Sequence, residues 1–162
     1  MKTNVLIVGS GCSGLYTALN LPQELQITII TKDTLENSDS FLAQGGICML
    51  KDDSDYESFF EDTLRAGHYK NDKVSVDLMI KSSPDVIEDL LDFGVDFQRD
   101  ENGNLVFTRE GAHSDKRILF YQDTTGKEIT SRLLAAVKKR PNITLMEHTC
   151  LLDILEEDNR CY

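Results

Sequence analysis

Cations are scarce in this chain: 17 Lys and Arg stand against 28 Asp and Glu over 162 residues, a formal net charge of −11. A surface of that sign repels a phosphate backbone, which excludes a nonspecific nucleic-acid binder, and it opposes adsorption to an anionic membrane. Long apolar runs are missing too. The most apolar stretch, residues 5–8, meets Gly9 and Ser10 at once, far short of the ~20 residues a membrane-spanning helix needs. Lys2 ahead of that run hints at a secretory leader, but glycine and serine interrupt it and no small-x-small cleavage site follows. Cys12, Cys48, Cys150 and Cys161 include no CxxC pair, so the usual zinc spacing is absent. A chain this long builds a core without disulfides, so free thiols in a reducing cytoplasm, and no metal site, are the expectation. The sequon at Asn142-Ile143-Thr144 means nothing without a secretory route.

What is present is the mixture of a globular domain, 40% hydrophobic and 28% charged, with length for one core. Residues 4–8 form a nearly all-apolar β run, the pattern of a strand covered on both faces. Gly9-Ser10-Gly11-Cys12-Ser13-Gly14 follows without a gap. Residues 15–21 then read as a helix stopped by Pro22, and residues 26–31 as a second strand. Strand, glycine turn, helix and strand make one βαβ unit with a right-handed crossover. Downstream, residues 56–66 read as a helix capped by Gly67, and residues 74–81 as another. Ser83 as N-cap and Pro84 in the first turn start a further helix, which Gly94 closes. A turn at 100–104 joins residues 95–97 to 105–107 as a hairpin. A helix over 126–140 is stopped by Pro141, strands follow at 143–147 and 150–155, and a turn at 156–159 leads into a return strand at 160–162.

Gly9-x-Gly11-x-x-Gly14 gains its value from lying between a strand and a helix. In such a motif the first glycine makes the tight turn, the second lets the backbone approach a pyrophosphate, and the third lets helix and strand pack closely. The helix amino terminus then offers its amides to the phosphate. Lys32 stands where an NAD site carries its ribose-binding acid, which argues against the simple NAD pattern. Asp33 remains within reach of a ribose, and Lys32 also reads as a plain surface charge. Gly45-Gly46, preceded by hydroxyls and an amide, suits a backbone lying against a flat ligand; an ordinary loop is the other reading. Residues 108–114 are a mixed-charge polar run, by default a surface loop, and neighbours such as His113-Ser114-Asp115 rarely form a catalytic triad.

Together these stretches resemble the succinate dehydrogenase/fumarate reductase flavoprotein family, and within it the L-aspartate oxidase branch. The resemblance rests on VLIVGSGCSGL (5–15), SFLAQGGI (40–47), EDTLRAG (61–67), TREGAHSDKRI (108–118) and DTTGKE (123–128), and covers essentially the whole chain. AQGG is shared widely, whereas TREG-x-HS singles out the branch. It implies an α/β, Rossmann-like FAD-binding domain, incomplete at its C-terminal end, with residues 1–162 as its N-terminal part and the capping and C-terminal helical domains absent. It also implies that Gly9, Ser10, Gly11, Cys12, Ser13 and Gly14 hold the FAD pyrophosphate and that Lys32 lies by the adenosine. Asp39, Ser40, Phe41, Leu42, Ala43, Gln44, Gly45 and Gly46 would follow the flavin and its linker. Cys150 and Leu151, ending a late strand, would contact the adenine side through their backbone. Glu110 would orient the substrate by meeting the ammonium of L-aspartate.

The implied activity is FAD-dependent oxidation of L-aspartate to iminoaspartate, with oxygen or fumarate taking the electrons and quinolinate synthase consuming the imine in NAD synthesis. Asp39 lies where the dehydrogenase branch carries its flavin-linking histidine, so the FAD would be noncovalent. Cys12-Ser13 replace the common pair of alanines, and Ala112 replaces a second glycine. The family's catalytic arginine and substrate-gripping histidines would lie beyond residue 162. Three other readings stand beside this one: a fumarate reductase or succinate dehydrogenase flavoprotein, a noncatalytic FAD-binding remnant, and an NAD-dependent domain.

Overall fold

A computed structural model describes residues 3–158, 160 and 161. In chain order the elements are β1 (Val5–Val8), α1 (Cys12–Asn20), β2 (Ile27–Ile30), α2 (Asp39–Leu42), β3 (Ile47–Cys48), a 3-10 turn (Asp53–Asp55), α3 (Tyr56–Ala66), α4 (Lys73–Asp92), β4 (Ile118–Leu119), α5 (Thr125–Val137), β5 (Ile143–Met146), β6 (Glu156–Glu157) and β7 (Arg160–Cys161). They fall into two compact units. The first takes the chain up to residue 42 and from 130 onward, and the second is residues 43–129.

The first unit is built on a parallel sheet of order β1-β2-β5, with Val5 opposite Ile27 and Ile27 opposite Ile143. This is the α/β, parallel architecture the βαβ pattern calls for. The doubly covered strand, however, is β2, buried at all four positions. Among the described residues β1 lies at the edge of the sheet; Gly14 of α1 packs beside Ile7, while Leu6 and Val8 remain 47% and 56% exposed. That helix begins at Cys12, earlier than the apolar run suggested, with Leu15, Ala18 and Leu19 buried. Its last carbonyls, Leu19 O and Leu21 O, accept from the Arg140 guanidinium at 3.2 Å each, a cation where the helix dipole favours one. The strand expected at 150–155 is irregular, and Leu152 is 95% exposed. Instead Glu156–Glu157 pairs antiparallel with Arg160–Cys161. Asn159 and Tyr162, placed in a turn and a return strand by the sequence, lie outside the described residues, as does Lys2.

In the second unit α3 keeps its expected bounds and Gly67 as its C-cap. Phe59 and Leu64 of α3 pack with Leu50 and with Val76 and Ile80 of α4, each side chain contributing about 1.5–3 kcal/mol by burial. The two helices expected on either side of Ser83 are one: α4 runs through Pro84. Proline at 84 has no N–H for the Ile80 carbonyl four residues back. The Ser83 hydroxyl donates to that carbonyl instead, at 2.7 Å, and accepts from Leu50 N at 2.9 Å. So the residue read as a cap repairs the helix interior. The hairpin expected around 100–104 reduces to a turn and a single bridge between Arg99 and Leu105, with the Asp100 carboxylate accepting from Asn102 N and Asn104 N at 2.9 Å. β3 and β4 pair antiparallel, Ile47 opposite Leu119. Among the described residues no helix is long and apolar enough to cross a membrane.

Candidate functional site

At the carboxyl ends of β1 and β2 the first unit holds a cleft of about 500 Å³, the place where open parallel sheets bind ligands. Its floor is the glycine turn. Gly9 has φ +111°, a left-handed backbone that other residues resist, and a Cβ on Gly14 would lie 2.4 Å from Gly9 O. The turn and the first helical turn therefore touch backbone to backbone. Cys12 N donates to Ser40 Oγ at 3.1 Å, tying the start of α1 to α2. Ser10 is 2% exposed and its hydroxyl has no hydrogen-bond partner among the described residues. α1 has no acidic residue in its first turn and its N-cap, Gly11, supplies no side-chain cap; Ser40 takes only the Cys12 amide, and the terminus keeps the polarity that suits an anion.

Of the residues expected here, Gly9, Ser10, Gly11, Lys32, Asp39, Ser40, Cys150 and Leu151 line the cleft. Cys12, Ser13, Gly14, Phe41 and Leu42 do not; the Cys12 thiol instead lies 3.2 Å from Thr130 Oγ1. Cys150 and Leu151 arrive from an irregular segment, not a strand, held where Thr149 N donates to Thr31 O at 2.8 Å. Asp33 does not reach the cleft. Its carboxylate is occupied by Thr34 N at 2.7 Å and Asn37 Nδ2 at 2.6 Å, bonds that hold it below the usual carboxylate range. Thr31, Asn37, Ser38 and Thr149 also line the cleft and carried no distinguishing signal in the sequence. An orphaned, buried hydroxyl beside a helix amino terminus fits the pyrophosphate of FAD.

The second unit has its own cavity of about 480 Å³, with Gly46, Cys48, Asp62 and His113 among mostly apolar walls. Ala43, Gln44, Gly45 and Glu110 do not line it. A Cβ on Gly46 would lie 2.3 Å from Leu119 O, whereas one on Gly45 would meet only Glu110 Oε2, at 4.0 Å. Of the glycine pair, then, Gly46 is required by its packing on β4, and Gly45 alone has the open face a ligand needs.

Behind the cavity sits a cluster that sequence reading missed. Arg117 is 0% exposed and pairs with Asp55 at 2.7 Å and Asp62 at 2.8 Å, both buried. Burial opposes the ionisation of Asp62. The Ser114 amide and hydroxyl, Arg117 and Arg65 outweigh it and hold the carboxyl well below its ordinary range. Arg117 also lies 3.1 Å from His113 Nδ1. A guanidinium only donates, so Nδ1 accepts and the neutral ring carries its proton on Nε2, 3.1 Å from Cys48 Sγ. Burial, then Arg117, push the His113 pKa down, and burial pushes the Cys48 thiol up.

The model of the FAD binding domain family matches residues 4–162. Over 158 residues the chain is 46% identical to L-aspartate oxidase of Clostridium perfringens, covering 98% of this chain and 36% of that protein. It is 43% identical over 162 residues to L-aspartate oxidase of Clostridium acetobutylicum, covering 100% and 37%. The chain thus spans little more than a third of the length of these curated relatives. Among solved structures, E. coli quinol fumarate reductase FrdA superposes with a TM-score of 0.92 at 26% identity, over 99% of this chain and 28% of that one.

Proposed function

The chain belongs to the FAD binding domain family, and on that premise we propose that it is the cofactor-holding, N-terminal part of an enzyme that oxidises L-aspartate to iminoaspartate. The cleft of the first unit carries the reading, through the buried, unpartnered Ser10 hydroxyl beside the α1 amino terminus. Ser10 and Gly11, at the amino terminus of α1, hold the pyrophosphate, with Lys32, Cys150 and Leu151 toward the adenosine. Residues 39–46 follow the linker and the flavin. Noncovalent FAD, when bound, supplies the two-electron oxidant. The exposed Glu110 carboxylate receives the substrate ammonium in a charge-assisted hydrogen bond and so orients the α-carbon. Oxygen or fumarate serves as electron acceptor, and quinolinate synthase as consumer of the imine. The substrate assignment draws its support from the two L-aspartate oxidases matched across the length of the chain.

A second reading, oxidoreduction of a plain dicarboxylate, is favoured by the likeness to fumarate reductase FrdA. One pair of measurements tests both. FAD is titrated into the 162-residue chain, and L-aspartate and succinate are compared as reductants of the full-length, FAD-loaded protein. Saturable binding, with faster flavin bleaching by L-aspartate, is the expected result. Bleaching by succinate alone selects the second reading, and a folded chain that fails to bind FAD overturns the cofactor assignment.

A further inference from the structure

Residues 112, 113 and 114 are each tied to the buried cluster. Arg65 of α3 donates to Ala112 O at 3.3 Å, Arg117 donates to His113 Nδ1 at 3.1 Å, and Ser114 donates to Asp62 Oδ2 through its amide at 2.6 Å and its hydroxyl at 2.7 Å. The loop then closes on Glu110, whose carbonyl accepts from His113 N at 3.3 Å across a turn in which Gly111 has φ +58°. The Glu110 side chain itself is exposed, so its direction comes from its backbone, and its backbone from those bonds. Phe59 adds a guide rail: its ring lies under the Arg117 guanidinium at 4.9 Å and meets the His113 ring edge-on at 5.6 Å. EDTLRAG and TREG-x-HS, read as separate signatures, are therefore two halves of one device.

We propose that the buried Arg117–Asp62 pair, acting through His113 and Ser114, positions the Glu110 carboxylate and so sets a preference for an amino-dicarboxylate over a plain dicarboxylate. The proposal rests on the reading of Glu110 given above. An apolar contact would pin the loop to α3 as firmly. A chain of hydrogen bonds to three successive residues also fixes the direction in which the turn presents its carboxylate. His113 and Asp62 are positioning residues on this account, and neither needs to touch substrate.

The test uses the full-length, FAD-loaded protein. His113→Phe keeps the edge-on ring contact and loses the acceptor for Arg117, whereas His113→Asn keeps an acceptor. His113→Phe should raise KM for L-aspartate on the order of tenfold, the scale of one lost hydrogen bond, with kcat within about threefold. The Kd of succinate, read from flavin absorbance, should stay within about twofold, as should that of FAD. His113→Asn should restore most of the KM. Ser114→Ala, at an exposed position, should show the same selectivity on a smaller scale.

A double-mutant cycle separates the proposal from its premise. Glu110→Gln with His113→Phe should be no worse for L-aspartate than Glu110→Gln alone. Fully additive effects, or equal losses of L-aspartate and succinate binding, overturn the positioning role while leaving Glu110 in place. A Glu110→Gln protein with unchanged L-aspartate kinetics overturns the premise itself, and the proposal with it.

Discussion

A buried hydroxyl with no partner costs about 1–3 kcal/mol, and among the described residues Ser10 carries one in the cleft of the first unit. Ser10→Ala should therefore raise the urea midpoint of the FAD-free chain. The same change should weaken FAD binding on the order of tenfold, because the alanine offers nothing to an anion. A fall in stability without FAD would mean that the hydroxyl is satisfied inside the chain. His113 gives the second prediction at this scale. Burial and Arg117 depress its pKa below 6.5, so below pH 6.5 the unfolded chain takes up a proton that the folded chain refuses. The stabilisation is complete above pH 6.5 and is lost as pH falls through the folded value. Denaturation profiles across this range should steepen for the native chain and flatten for His113→Asn.

Among the elements, α4 offers the sharpest check. Ser83→Ala strands both the Ile80 carbonyl and the Leu50 amide, at an expected cost of about 1–3 kcal/mol. With Pro84→Ala in the background the helix regains its own N–H for Ile80, and the cost of losing the serine should shrink without vanishing. Urea unfolding of the two single variants and the double one measures this. The sequence made α3 fully legible, because apolar spacing and a terminal glycine are local signals. It misled at Ser83-Pro84 because the same two residues start a helix or repair one, and the choice depends on Leu50, more than thirty residues away. The glycine turn could be read for the same reason as α3: its neighbours in space are its neighbours in sequence. Arg117 with Asp55 and Asp62 could not, since only the packed chain brings those charges together. Residues 150–155 look like a strand by composition, yet no partner strand lies beside them among the described residues.

For the whole molecule the dominant quantity is the net charge of −11. FAD brings a pyrophosphate of the same sign, and long-range repulsion slows encounters between like charges. Sodium chloride shortens the reach of that repulsion to about 10 Å at 0.1 M, so FAD association should quicken as salt is raised. Stopped-flow quenching of flavin fluorescence would measure it. An association rate that falls with salt would point instead to local attraction by Lys32 outweighing the field of the whole chain.

The sheet of the first unit also imposes a timetable. β2 finds its second neighbour in β5 only after more than a hundred further residues have been made, a wait on the order of ten seconds on a ribosome adding 5–20 residues per second. The second unit is continuous in sequence and can organise during that interval. Until β5 emerges, the apolar strand β2 has one flank unpaired, and chaperones have their longest opportunity to bind there.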